Sequence, residues 1–245
     1  MLVEKPLLSL VILCFKEEEY IPVFIRAVKE ALQKHAIPHE LILVANFHAG
    51  STDRSSNIVQ EMAKSDPSLL AVTLEKQGKM GWDLWSGFKK ATGGVVGFTD
   101  GDGQIAPEDI ARAYEKIIAE DFDMVQGQRI ERCDGRMRKI TSVAYSLILR
   151  SCFPKITVHD INGKPKLFKK RRLDQMKLTS TNWFADSELV IQAAYRNFKI
   201  GTIPTVFYKN TRRPSTTSPW SIFESLRDIA QYRTRMLLHK KELLQ

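Results

Sequence analysis

The chain has 245 residues, a formal net charge of +9, 43% hydrophobic residues and 27% charged residues. Its length allows one large domain or two small ones and suffices for a real core, and its composition is that of a soluble globular protein. The excess of Lys and Arg points to anionic partners: nucleic acid, phosphorylated small molecules or an acidic membrane surface.

The first segment, "LLSLVILCF", reads as a buried strand from its continuous apolar run. That run is too short to span a bilayer and lacks the cleavage site of a signal peptide. "IPVFIRAVKEALQKH" then repeats apolar residues at helical spacing: Ile21, Phe24, Ile25, Val28 and Leu32. "ELILVA" predicts a second strand, Ser55 to Ala63 a helix, "LLAVTLE" a third strand and Trp82 to Ala91 a third helix. "GVVGFTD" predicts a fourth strand, and Pro107 to Ala119 a helix with Glu108 and Asp109 in its first turn. This alternation implies a parallel sheet covered by helices on both faces.

Beyond Asp123 the pattern is less regular. "FDMVQG", "KPKLF" and "FKIGTIPTVFY" predict strands, and Asp186 to Tyr195 a helix. "NTRRPSTTSP" is loop by composition. From Trp220 the chain reads as a helix with Pro219 at its first position and a Ser221–Glu224 capping box. Cys14, Cys133 and Cys152 form no CxxC pair and read as reduced thiols of a cytosolic protein.

The chemistry concentrates where the fourth strand ends, in Asp100-Gly101-Asp102-Gly103-Gln104. Ligands of open α/β sheets bind at the carboxyl ends of strands. Residues i and i+2 of a tight turn point to one side, so Asp100 and Asp102 can converge. Two such carboxylates make a hard-oxygen site for Mg²⁺ or Mn²⁺, best completed by phosphate oxygens, with Gln104 as a further carbonyl ligand. A surface turn rich in Asp and Gly is the competing explanation.

The context favours the site. "TDGDGQ" after an apolar strand, "LVILCFKEE", "GSTDRS", "GKMGWDLWSGFKKATGG", "GQRIER" and "DINGKPKLFKK" occur in this order. Together they resemble the family 2 glycosyltransferases of the GT-A fold, in the polyprenyl-phosphate (dolichyl-phosphate mannose synthase-like) branch, over about residues 7 to 210. The resemblance implies an α/β, Rossmann-like, mostly parallel mixed sheet as a domain over 1–210, followed by a loop and basic amphipathic helix over 211–245. It implies a nucleotide-diphosphate sugar held across the first half. Glu17 would then lie near the nucleoside, Asp53 in the nucleotide loop or as a helix cap, and Lys79 beside the diphosphate. The usual acidic pair before Gly-Ser-Thr-Asp is missing from "VANFHAGSTD", and Asn46 is expected to take over the base or ribose contact. Cys14 and Lys16 stand where Pro and Asn are usual.

On the acceptor side, the resemblance assigns Arg129, Arg132, Arg136 and Arg138 to the acceptor's phosphate, with guanidinium forks suited to it. Lys166 keeps the basic charge in "NGKPKLF", whereas "KKRR" reads as surface charge. Arg212 and Arg213 lie in a loop able to close over the diphosphate. Asp186 is a candidate general base for a hydroxyl acceptor, or an ordinary helix N-cap. The terminal helix carries Ile222, Phe223, Leu226, Ile229, Ala230, Met236 and Leu237 with Arg227, Arg233, Arg235, Lys240 and Lys241. It suits either a membrane interface or packing on the domain.

The resemblance therefore implies an inverting, metal-dependent transferase. It would move a sugar from a nucleotide to a polyprenyl-phosphate-type lipid, in the cytoplasm or on a membrane's cytoplasmic face. Asp102 would help hold the metal that stabilises the departing diphosphate. The rivals are transfer to a soluble or glycan acceptor, a non-catalytic nucleotide-binding domain, and a nucleic-acid-binding module. No recognisable nucleic-acid motif supports the last, and nucleic acid is not an expected partner.

Overall fold

The computed structural model describes residues 6–133, 135–210 and 219–238. Leu8–Leu13 (β1) is buried along its whole length, as a central strand covered on both faces must be. It pairs in parallel with His39–Val44 (β2) and Val95–Asp100 (β4), and β2 pairs in parallel with Leu69–Val72 (β3). Met124–Arg132 (β5) and Ile200–Phe207 (β7) are also parallel. Between the two groups lies Lys166–Lys169 (β6), antiparallel to both β4 and β5. The sheet order is β3-β2-β1-β4-β6-β5-β7, so the expected mixed, mostly parallel sheet is observed.

Alternate residues of β1 feed opposite cores. Leu8, Leu10 and Ile12 pack with Phe24 and Val28 of Ile21–Lys34 (α1), Val59 of Ser55–Ser65 (α2) and Tyr114 of Pro107–Ala119 (α4). Val11 and Leu13 face the other core. That core contains Leu84 of Met80–Phe88 (α3), Leu149 of Arg136–Cys152 (α5), Leu173 of Lys170–Leu173 (α6), Leu189 of Ala185–Tyr195 (α7) and Ile229 of Pro219–Leu238 (α8). The helix expected at Trp82–Ala91 runs two residues earlier at its start, and α5 falls where only irregular structure is expected.

Because β1 to β4 are parallel, their carboxyl ends share one edge of the sheet. The segments 14–20, 45–54 and 101–106 leave from that edge and form one side of the site.

The terminal helix chooses packing. Ile229, Tyr232 and Met236 are buried in the second core, and Asn182 Nδ2 donates to Asp228 at 2.8 Å. Phe223, Leu226, Leu237 and Leu238 face outward. The expectations for Arg212, Arg213, Lys240, Lys241 and the side chains of Ser221 and Ile222 lie outside the described residues. Ile229→Ala should cost about 2–5 kcal/mol in chemical denaturation, whereas Phe223→Ala, in the same helix, should change stability by no more than about 0.5 kcal/mol.

Candidate active site

Asp100 is the last residue of β4 and lies in register with Leu13 of β1. The next residue, Gly101, donates its N–H to the Leu13 carbonyl at 2.8 Å. Asp102 is buried, and one of its carboxylate oxygens accepts the Gln104 N–H at 3.0 Å. Gly103 has a φ of +69°, and a Cβ there would come within 2.2 Å of the Tyr20 ring. Only glycine fits that conformation and that contact. Gln104 fastens the turn to the chain just beyond β7. Its Nε2 donates to the Tyr208 carbonyl at 2.8 Å, and its own carbonyl accepts the Tyr208 N–H at 2.8 Å. Through its side-chain Nε2 and its backbone carbonyl, Gln104 anchors the turn to Tyr208.

Asp100 remains one-third exposed in its side chain. The described residues contain no group of three or more His, Cys, Asp or Glu side chains placed to hold a metal alone. The donors present, two carboxylates of Asp100 and Asp102 on one turn, are hard oxygens of the kind that Mg²⁺ or Mn²⁺ takes, with further ligands needed from a phosphate or water.

Beneath this turn runs a chain of alternating charges. Lys164 Nζ lies 3.2 Å from Asp100 Oδ2 and 3.2 Å from Asp186 Oδ2. Asp186 is also ion-paired with Lys166, whose ammonium donates to the Ile161 carbonyl at 2.9 Å. Lys166 has no accessible surface, so it lies under the site and is not placed to meet a ligand. Asp186 is the second residue of α7, whose N-cap position is Phe184, and so is not the cap. Burial works to raise the Asp186 pKa, but Lys164 and Lys166 outweigh it and hold the carboxyl below its usual range. Burial likewise works to lower the Lys164 pKa, while Asp100 and Asp186 drive it well above the ordinary lysine value. A carboxylate held between two ammonium groups is a weak proton acceptor. Asp186 is thus placed to position lysines, and its geometry does not suit a general base.

At the β1–β2 edge a cavity of about 650 Å³ is lined by Lys16, Glu17, Glu18, Glu19, Tyr20, Ser51, Thr52 and Asp53. The two loops are stitched together. Asp53 accepts from Lys16 N at 3.1 Å, Ser55 N at 3.1 Å and Ser55 Oγ at 2.6 Å, and Glu17 N donates to Ser55 Oγ at 3.3 Å. Glu17 and Asp53 both line this cavity, among carboxylates, hydroxyls and the basic Lys16. Cys14 is buried, and burial and then Glu17 push its thiol pKa well up, leaving it a neutral packing group.

Asn46 is not available to a ligand. Its Nδ2 donates to Asp83 and to Ser86 Oγ, each at 2.9 Å, and its Oδ1 accepts the Leu74 N–H at 2.8 Å. Lys76 completes this buried cluster by pairing with Asp83. Lys79 stands at the N-cap of α3, and its ammonium contacts both Glu224 oxygens of α8 at 2.6 Å.

On the other side, Arg129 is committed to Asp160. Its Nε and Nη2 donate at 2.7 and 2.5 Å, and its backbone N–H at 3.0 Å. Burial tends to raise the Asp160 pKa, but Arg129 holds it below the usual range. This pair lines a cavity of about 230 Å³ together with Lys139, Ser142, Val143, Leu147, Arg150 and His159. Arg129 is thus paired, and the other basic side chains lining this cavity are Lys139, Arg150 and His159, the last two in contact at 3.0 Å. The side chains of Arg132 and Arg136 lie outside the described residues. Lys164, which contacts both Asp100 and Asp186, is a residue of this region that sequence reading misses. Its signal is its spacing: two residues before Lys166 on an extended chain, both ammonium groups reach the same carboxylate.

The family model described as Glycosyl transferase family 2 matches residues 9–178. The undecaprenyl-phosphate 4-deoxy-4-formamido-L-arabinose transferase of Pectobacterium carotovorum subsp. carotovorum is 36% identical over 144 residues, 58% of this chain and 42% of that protein. The bactoprenol glucosyl transferase of Shigella phage SfX is 31% identical over 173 residues, 70% of this chain and 55% of that protein. The chain thus spans about half the length of these relatives. The crystal structure of glucosyl-3-phosphoglycerate synthase from Mycobacterium tuberculosis with Mn²⁺, UDP and glucosyl-3-phosphoglycerate superposes with a TM-score of 0.65 at 16% identity, covering 95% of this chain and 79% of that one. The chain belongs to glycosyl transferase family 2, and its fold is GT-A.

Replacing Asp186 leaves a buried ammonium without its counter-charge. Asp186→Asn should therefore lower stability by about 3–5 kcal/mol, measured by denaturation, where loss of a mere base would spare the fold. Lys164→Met removes the cation that competes for Asp100. Mn²⁺ should then bind more tightly by about tenfold, or ~1.4 kcal/mol, in titration calorimetry without nucleotide.

Proposed function

We propose that this member of glycosyl transferase family 2 moves a sugar, with inversion, from a nucleotide-diphosphate sugar to a polyprenyl-phosphate-type lipid. The observation that carries this reading is the clamping of Asp186 between Lys164 and Lys166. A hydroxyl acceptor needs a base to take its proton. A phosphate acceptor is already ionised near neutral pH and needs none. The names of the relatives from Pectobacterium and Shigella phage agree with such an acceptor.

In this scheme the cavity lined by Glu17 and Asp53 takes the nucleoside, its carboxylates accepting from ribose hydroxyls. The diphosphate lies over Asp100 and Asp102. A divalent cation bound there would supply positive charge against the departing diphosphate. Lys164 contributes a fixed ammonium between the two halves. The acceptor's phosphate enters from the side of Lys139, Arg150 and His159. Its oxygen forms the new bond to the anomeric carbon as the bond to the nucleoside diphosphate breaks on the opposite face.

Incubation with UDP-, GDP-, dTDP- and CDP-sugars, Mn²⁺ and undecaprenyl phosphate should yield a glycosylated lipid phosphate by mass spectrometry. Asp102→Asn should reduce turnover by about a hundredfold, the loss of roughly 3 kcal/mol of charge stabilisation. The rate should rise with pH through about 6, as the acceptor phosphate loses its second proton. Transfer to a soluble glycan, with none to lipid phosphate, would overturn the reading.

A further inference from the structure

Helix α5 packs one face on the domain and leaves an apolar face in solvent. Inward, Leu149 is buried and the Tyr145 hydroxyl meets Ser187 Oγ at 2.7 Å. On the opposite face Met137, Ile140, Leu147 and Ile148 are 73%, 60%, 55% and 40% exposed. Their spacing places them on one stripe. A helix facing water ordinarily turns polar residues outward, and a contiguous exposed apolar patch marks a contact surface. Ile130 of β5 and Val143 are also more than half exposed. They line the same cavity as Leu147, Lys139, Arg150 and His159, so the apolar stripe runs into the rim of that cavity.

Charge decides what covers the stripe. The sequence of α5, "RMRKITSVAYSLILRSC", has four basic residues and no acidic one. A second copy of this chain would set those cations against themselves, within a protein of net charge +9. An anionic bilayer offers an apolar boundary under negative head groups, which is what an interfacial helix of this kind needs. The terminal helix fits less well. It mixes Glu224 and Asp228 with its basic residues and spends Ile229, Tyr232 and Met236 on the core. Among the described residues no helix is long and apolar enough to cross a membrane.

We propose that the outer face of α5 is a docking surface for anionic lipid bilayers. The stripe sinks to the head-group boundary, the flanking Lys139 and Arg150 meet lipid phosphates, and the neighbouring cavity opens at the lipid surface. The further corollary, that a lipid acceptor passes from the bilayer into that cavity, rests on the function proposed above. The docking itself does not.

The test is flotation of the full chain with phosphatidylcholine vesicles, with and without phosphatidylglycerol. The wild type should float with the anionic vesicles and be released by salt of roughly 0.5 M, where screening is strong. The triple variant Met137→Gln, Ile140→Gln, Ile148→Gln, which replaces none of the cavity-lining residues, should partition about tenfold less. It should keep its melting temperature and its transfer to a short, water-soluble prenyl phosphate. Should the triple variant fail to fold, Met137→Gln alone should still weaken flotation. Wild-type flotation by the variants, or equal and negligible flotation of the wild type with both vesicles, would overturn the proposal. A wild-type dimer in sedimentation, made monomeric by the triple variant and indifferent to lipid, would assign the face to a second copy and also overturn it. Variant-sensitive flotation without transfer to any prenyl phosphate would leave docking standing and remove only the proposed function.

Discussion

A lysine ammonium with no accessible surface has to be paired, because an uncompensated charge in the interior costs several kcal/mol. Lys166 sits in that position on β6, between β4 and β5. Its counter-charge, Asp186, comes from the first turn of α7. Lys164 shares the same carboxylate and reaches Asp100 at the end of β4. The antiparallel strand β6 is thereby the joint between the two halves of the sheet, and its charges fix where β4 ends relative to α7. The approach is close enough that a Cβ on Gly163 would meet the Gly127 carbonyl at 1.8 Å, so the chain before β6 lies against β5 without side chains between.

The joint separates two kinds of wall. Toward β1 and β2 the lining is mainly carboxylate and hydroxyl, with Lys16 among them. Toward β5 and α5 it mixes basic Lys139, Arg150 and His159 and the Arg129–Asp160 pair with apolar Ile130, Val143 and Leu147. Asp100 and Asp102 lie at the boundary. The function proposed above brings two anionic substrates together and must offset both charges, and ammonium groups fixed before the substrates arrive do so without later reorganisation. Lys164, already shared between Asp100 and Asp186, meets that requirement.

Much of this was legible in the sequence. The unbroken apolar runs of β1 and β4, the helical spacing in α1 and α4, and the Asp-Gly-Asp-Gly turn each carry their own local signal. Helix α5 does not, because it is apolar on both faces. Leu149 points inward while Met137, Ile140 and Leu147 point outward, which blurs the one-sided period that marks a helix. Asn46 and Arg129 look available to a ligand in the sequence because their partners are distant. Asp83 lies 37 residues from Asn46 and Asp160 lies 31 from Arg129. Lys79 meets Glu224 across 145 residues. Such pairings depend on the tertiary fold, and no local pattern announces them.

We propose that Asp100 and Asp102 hold the divalent cation that meets the reacting diphosphate, while Lys164 bridges Asp100 to Asp186. A crystal structure of the protein with Mn²⁺ and the nucleoside diphosphate of its donor tests this most directly. The account predicts the metal on the Asp100–Asp102 turn, the nucleoside in the cavity lined by Glu17 and Asp53, and Lys164 within contact of the diphosphate. A nucleotide seated elsewhere, or a metal bound away from both carboxylates, would contradict it.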